Sequence, residues 1–254
     1  MIHGLILPRS SLRSTASNCD DVVISSKKGL PFHLSRPCCR SNRVAPVFTK
    51  ALEIDGPVGR LEAVLMSPST PPVAAAVLCH AHPLHGGVMH YKVLFRVAKV
   101  FQEKGYAVLR FNFRGVGLSD GVHDDGRGEQ NDVRAAIDTL ERDFPGLPIV
   151  AGGFSFGAVM ALRVGVDDAR VGALVALGLP VSVMKSTGFV TTSTKPRLFV
   201  QGELDEFGDG DAMTRFVATL PEPKTLVVVP GSDHFFTDKT DALGAAVSEW
   251  SELI

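Results

Sequence analysis

Residues 147–164 read LPIVAGGFSFGAVMALRV, and the fold turns on how this stretch divides. Leu147 to Phe154 is apolar and strand-length, with adjacent β-branched residues at Ile149 and Val150. Ser155 to Val164 carries the helix formers Ala158, Met160, Ala161 and Leu162. The reading is a strand that passes into a helix with no loop between them. At the junction stands Gly153-Phe154-Ser155-Phe156-Gly157, a G-x-S-x-G motif. Such a strand-to-helix turn is too tight for side chains at the two glycines, and it pushes the serine hydroxyl out above the sheet. The N–H of Phe156 then falls at a helix N-terminus, free to donate to an oxyanion. Ser155 is therefore the candidate nucleophile.

Working outward, the chain from Val47 alternates short β-branched runs with helix-like stretches, the pattern of a mainly parallel sheet with helices on both faces. Val47 to Ile54 and Gly59 to Met66 read as an opening antiparallel hairpin, turning at Asp55-Gly56-Pro57. Val73 to Cys79, Tyr106 to Phe111, Val171 to Leu177, Arg197 to Val200 and Thr225 to Val229 read as further strands. Helices are expected at Lys92 to Lys104, where Gly105 stops the apolar stripe, and at Glu129 to Asp143, Asp209 to Leu220 and Thr240 to Leu253. The connection from Gly178 to Lys195 is about eighteen residues long, which leaves little room for a cap and implies an open, shallow site.

A nucleophilic serine needs a base, and the base needs an orienting carboxylate, each at the end of a later strand. Leu198 to Asp205 runs off one strand into a polar loop, and Val229 to Phe236 does the same after the last strand. Asp205 is the candidate acid, with Glu203, Glu206 and Asp209 competing for the role; His234 is the candidate base. The loop His80-Ala81-His82-Pro83-Leu84-His85-Gly86-Gly87 follows the strand expected beside Ser155. A His/Gly-rich loop there supplies the second oxyanion donor, for which the backbone N–H of His82 is the candidate. The side chains of His80, His85 and His90 are expected to organise the loop by hydrogen bonds.

Two other readings compete. His80, His82 and His85 could hold a zinc ion in a metallohydrolase, but Leu84 stands where the H-x-H-x-D-H pattern has an aspartate, and the serine motif, Asp205 and His234 would be left unexplained. The chain could also be a catalytically silent scaffold used for binding, a reading favoured only by loss of a triad position, and none is lost.

Together with Phe111-Asn112-Phe113-Arg114-Gly115-Val116-Gly117-Leu118-Ser119-Asp120-Gly121, these motifs resemble the short, capless α/β-hydrolases related to dienelactone hydrolases and serine aminopeptidase-like hydrolases. The resemblance spans roughly residues 47–254 and rests on the joint order of five motifs. It implies an α/β-hydrolase fold without a large cap domain and a serine hydrolase, and it leaves the substrate open. One departure stands out: relatives usually carry Pro where this chain has Ala81.

Composition sets the limits. Over 254 residues, 45% hydrophobic and 21% charged, the chain can bury a sizeable core. A net charge of −1 and the lack of a basic stripe in its body give no sign of a nucleic-acid or anionic-membrane partner. A small, neutral substrate is expected, with no cofactor and no metal. Residues 1–46 differ, holding seven Lys or Arg against Asp20 and Asp21, eight serines, and Cys19, Cys38 and Cys39. Such a segment resembles an organellar transit peptide, with chloroplast the expected destination and mitochondrion the alternative. Cys79, within an apolar run, reads as a small buried hydrophobe.

The expectation is thus a serine hydrolase cleaving a small carboxylic ester, or a thioester, through an acyl-serine intermediate. Arg114 and Arg163 could reach an acidic substrate group, but structural ion pairs suit them better.

Overall fold

Strand Ala74–Cys79 has no exposed residue, and its side chains divide by parity: Ala74, Ala76 and Leu78 face one half of the core, Ala75, Val77 and Cys79 the other. A strand apolar at every position is stable only with helices over both faces, and that is the architecture found. The computed structural model describes residues 48–184 and 186–254; the expected transit peptide lies outside the described residues.

In chain order the elements are β1 (Phe48–Gly56), β2 (Gly59–Ser67), β3 (Ala74–Cys79), α1 (Lys92–Glu103), β4 (Tyr106–Phe111), α2 (Glu129–Asp143), β5 (Ile149–Phe154), α3 (Phe156–Gly165), β6 (Val171–Leu177), β7 (Arg197–Gly202), α4 (Gly210–Ala218), β8 (Lys224–Val229) and α5 (Thr240–Trp250). They form one eight-stranded sheet in the order β1-β2-β4-β3-β5-β6-β7-β8, with β3 to β8 parallel and β1 and β2 antiparallel at one edge. α1 and α5 cover one face, burying Val93, Leu94, Val97, Leu243, Val247 and Trp250. α2, α3 and α4 cover the other. Among the described residues, no helix is long and apolar enough to cross a membrane.

Some boundaries move. The hairpin turns at Pro57-Val58, not at Asp55-Gly56-Pro57, because Asp55 and Gly56 stay in register with Arg60 and Gly59. The carboxylate of Asp120 accepts from the Arg60 N–H at 2.7 Å and anchors the start of β2 from a distant loop. β7 runs two residues past Val200, since Gln201 and Gly202 pair with Val228 and Val229. α4 stops at Ala218 and α5 at Trp250, each short of the expected end. The connection after β6 holds, among the described residues, one short 3₁₀ turn at Gly188–Val190, which leaves the carboxyl edge of the sheet open.

Candidate active site

β5 is the strand on which the site is built. β3 and β6 flank it, so the loops leaving all three strands meet at one edge. Ser155 follows β5 directly, with φ 56° and ψ −119°, a conformation an L-residue holds only where its surroundings enforce it. Enforcement comes from two close backbone approaches. A Cβ at Gly157 would stand 2.2 Å from the Cys79 carbonyl oxygen, and one at Gly153 would stand 2.4 Å from the Gly157 carbonyl carbon. Neither neighbour is a flexible side chain that could yield. Gly157→Ala is therefore expected to destabilise the fold by about 3 kcal/mol or to displace the turn, visible as a fall in the urea midpoint with loss of activity. An unchanged midpoint would contradict the close approach.

Three side chains from three strand ends form one hydrogen-bonded line. His234 Nε2 lies 2.9 Å from Ser155 Oγ, and His234 Nδ1 lies 2.7 Å from Asp205 Oδ2. An ionised carboxylate only accepts, so the proton sits on Nδ1 and Nε2 is left to accept from the serine hydroxyl. Asp205 and His234 are 2% and 3% exposed, while Ser155 remains open to solvent in part.

The acid is held on every side. Its Oδ1 accepts from the Phe207 N–H at 2.8 Å, and its Oδ2 also accepts from Gln201 Nε2 at 2.8 Å. Gln201 in turn donates to the Gly208 carbonyl and accepts from the Leu179 N–H, joining the acid loop to the end of β6. The acids that compete with Asp205 have other work. Asp209 caps α4 through the Ala212 N–H at 2.7 Å, and Glu203 accepts from the Gly231 N–H at 2.7 Å, tying the acid loop to the histidine loop. Glu206 is exposed. Gln201 was not among the expected site residues; its available signal is an amide next to the end of β7, after the apolar run Leu198 to Val200.

The two residues expected to supply the oxyanion donors meet through their side chains. Phe156 begins α3, and its ring stands 5.0 Å from that of His82. Among the described residues, neither the Phe156 nor the His82 N–H donates to a protein acceptor. The His82 side chain turns back on its own loop, where its Nδ1 accepts from the Leu84 N–H at 3.2 Å. Its imidazole is held below the ordinary range, first by burial and then by the neighbouring His85 and His123. His123 fills the gap against Phe156, with Nδ1 2.7 Å from the buried Glu129 carboxylate.

His80 organises the loop as expected. Fully buried, it accepts from the Phe113 N–H at Nε2 (3.0 Å) and meets the Ala81 carbonyl at Nδ1 (2.6 Å). His85 instead stacks on His82 at 4.5 Å, and His90 is exposed. With both nitrogens of His80 engaged, the zinc reading loses its first ligand. Among the described residues, no group of three or more His, Cys, Asp or Glu could hold a metal ion. Arg114 does form a buried ion pair, with Asp132 at 2.7 Å, whereas Arg163 lies over the Phe189 ring at 4.4 Å. Cys79 is buried and its thiol pushed far up by desolvation, so it offers no competing nucleophile.

Burial pulls the His80 pKa down to about 4. Below its unfolded value of about 6.5 the unfolded chain binds a proton that the folded chain refuses, so the stability from a neutral His80 is present above pH 6.5 and lost towards pH 4. Between pH 7 and 5, urea-derived stability should fall by about 2 kcal/mol more in the native chain than in His80→Gln. Parallel pH dependences would contradict a buried, neutral His80.

The sheet, the open edge and the three-residue line define a serine-hydrolase architecture. The family model described as serine aminopeptidase, S33, matches residues 75–185. The fold is that of an α/β serine hydrolase homologue from Coxiella burnetii (36% identity, TM-score 0.73, 79% of this chain and 96% of that one) and of an α/β serine hydrolase without lid from Xanthomonas campestris (34% identity, TM-score 0.74, 84% and 97%). An uncharacterized protein of Rickettsia prowazekii is 32% identical over 204 residues, covering 77% of this chain and 86% of its own. The chain belongs to the α/β serine hydrolase family.

Proposed function

We propose that this chain hydrolyses carboxylic esters of small substrates through an acyl-serine intermediate. The observation that carries the reading is the unbroken line Ser155–His234–Asp205, with the Phe156 and His82 N–H groups finding no acceptor among the described residues. His234 Nε2 takes the hydroxyl proton as Ser155 Oγ bonds to the acyl carbon, and Asp205 steadies the imidazolium. The Phe156 and His82 N–H groups hold the developing oxyanion. The tetrahedral intermediate collapses, the carbon–oxygen bond to the alcohol breaks, and His234 returns the proton to the departing oxygen. Water, deprotonated by the same imidazole, then releases the carboxylic acid and restores Ser155.

Esters are favoured over amides because an alkoxide leaves more readily than an amide anion, so less protonation of the departing atom is needed; thioesters share this advantage. The test is the full chain assayed against an acetate ester, an acetyl thioester and an aminoacyl anilide. Turnover of the ester, with the anilide inert, supports the reading. Turnover of the anilide alone overturns it.

A further inference from the structure

We propose, building on the ester reading, that the cleft between the starts of α1 and α5 receives the alcohol portion of the substrate, and that this portion is an apolar group of ring or short-chain size. The cleft measures about 570 Å³ and is walled by Val88, Tyr91, Phe235, Phe236, Thr237 and Thr240. That volume lies within the roughly 300–1,000 Å³ of pockets that hold small organic ligands.

Its two walls are continuations of the site. Residues 88–92 directly follow the loop that carries the His82 N–H, and residues 235–240 directly follow His234. An aromatic surface joins them to the base. The Phe235 ring meets His234 edge-on at 5.2 Å and Tyr91 at 6.3 Å, and Tyr91 stacks almost parallel on Phe154 at 5.6 Å, itself 5.0 Å from His234. Phe235 is nonetheless 46% exposed and Val88 36%, so apolar area lies uncovered at the mouth. Covering such area with an apolar ligand group is favourable. The charged residues that line the cleft, Lys92 and Asp238, and His90 are all solvent-exposed.

The chemistry chooses which half of the ester enters. His234 must hand its proton to the leaving oxygen, so that oxygen and the group it bears lie along the imidazole. The carbonyl oxygen is held away from it, at Phe156 and His82. The cleft beside His234 is therefore on the alcohol side.

The experiment compares the full chain on methyl, butyl and benzyl acetate, whose alcohols are similarly acidic, and on methyl acetate against methyl hexanoate. In the native chain kcat/KM should rise about tenfold or more from methyl to benzyl acetate. In Val88→Asp and Phe235→Ala the benzyl-to-methyl ratio should fall about tenfold, while the hexanoate-to-acetate ratio stays within about twofold of the native one. A flat alcohol series in an active enzyme, a steep series indifferent to both variants, or an effect on the acyl ratio instead would each overturn the assignment. Failure to hydrolyse any of these esters would remove the ester reading along with it.

Discussion

Ser155→Ala should lower kcat/KM for a turned-over ester by roughly 10⁴- to 10⁶-fold while leaving the far-ultraviolet spectrum and urea midpoint close to native. The size follows from the line of three: without Oγ, His234 Nε2 loses the group 2.9 Å away whose proton it takes, and Asp205 steadies a charge that no longer forms. The fold should not notice. Ser155 makes its structural hydrogen bonds through the backbone, its N–H donating to the Leu177 carbonyl at 2.9 Å and its carbonyl accepting from the Ala158 N–H at 2.9 Å. Alanine inherits the same φ of 56°, so strain is neither added nor relieved. Residual ester turnover within tenfold of native would remove Ser155 from the mechanism.

Asp205→Ala is expected to cut kcat by about 10⁴-fold and, unlike the serine variant, to destabilise the fold as well. Truncation strands the Gln201 side-chain N–H, the Phe207 N–H and the His234 Nδ1–H in a site where the carboxylate was 2% exposed. Each abandoned buried donor costs on the order of 1–3 kcal/mol. Asp205→Asn separates the two effects. Its amide oxygen can turn towards Gln201 and His234, keeping both of those bonds and the imidazole tautomer, and only the Phe207 N–H then faces an NH₂. Stability should return most of the way, yet the rate should stay low, because a neutral amide does not steady an imidazolium. Recovery of native rate in the asparagine variant would show that orientation, not charge, is the contribution of Asp205. A native urea midpoint in Asp205→Ala would contradict the hydrogen-bond accounting.

The parts of this site that could be read from sequence are those enforced by backbone geometry. Gly153 and Gly157 are glycine because carbonyl groups stand where a Cβ would go, so the turn announces itself in residue types. The strand ends that deliver Asp205 and His234 follow from apolar runs that stop at polar loops. What the sequence hid depends on pairing across the chain. Asp55-Gly56 resembles a turn, but strand register and the distant Asp120 keep it extended, and the real corner is Pro57-Val58. Gln201 and Gly202 look too polar and too small to continue a buried strand; β8 supplies their partners, and Gln201 finds its bonds in Asp205, Gly208 and Leu179. His123 and Glu129 carried no local signal, since only the fold brings them beside Phe156 and His82. Arg163 was misread as an ion-pairing residue for the same reason: the aromatic partner Phe189 lies on a loop whose path composition does not dictate.

The claim on which the rest depends is that Ser155 is an activated nucleophile, and it is tested most directly by treating the full chain with a fluorophosphonate and locating the adduct by peptide mass spectrometry. One phosphonyl group is expected, on the peptide holding Ser155, formed rapidly, unaffected by a metal chelator and absent from Ser155→Ala. A folded protein that takes no label, or takes it on another residue, would contradict it.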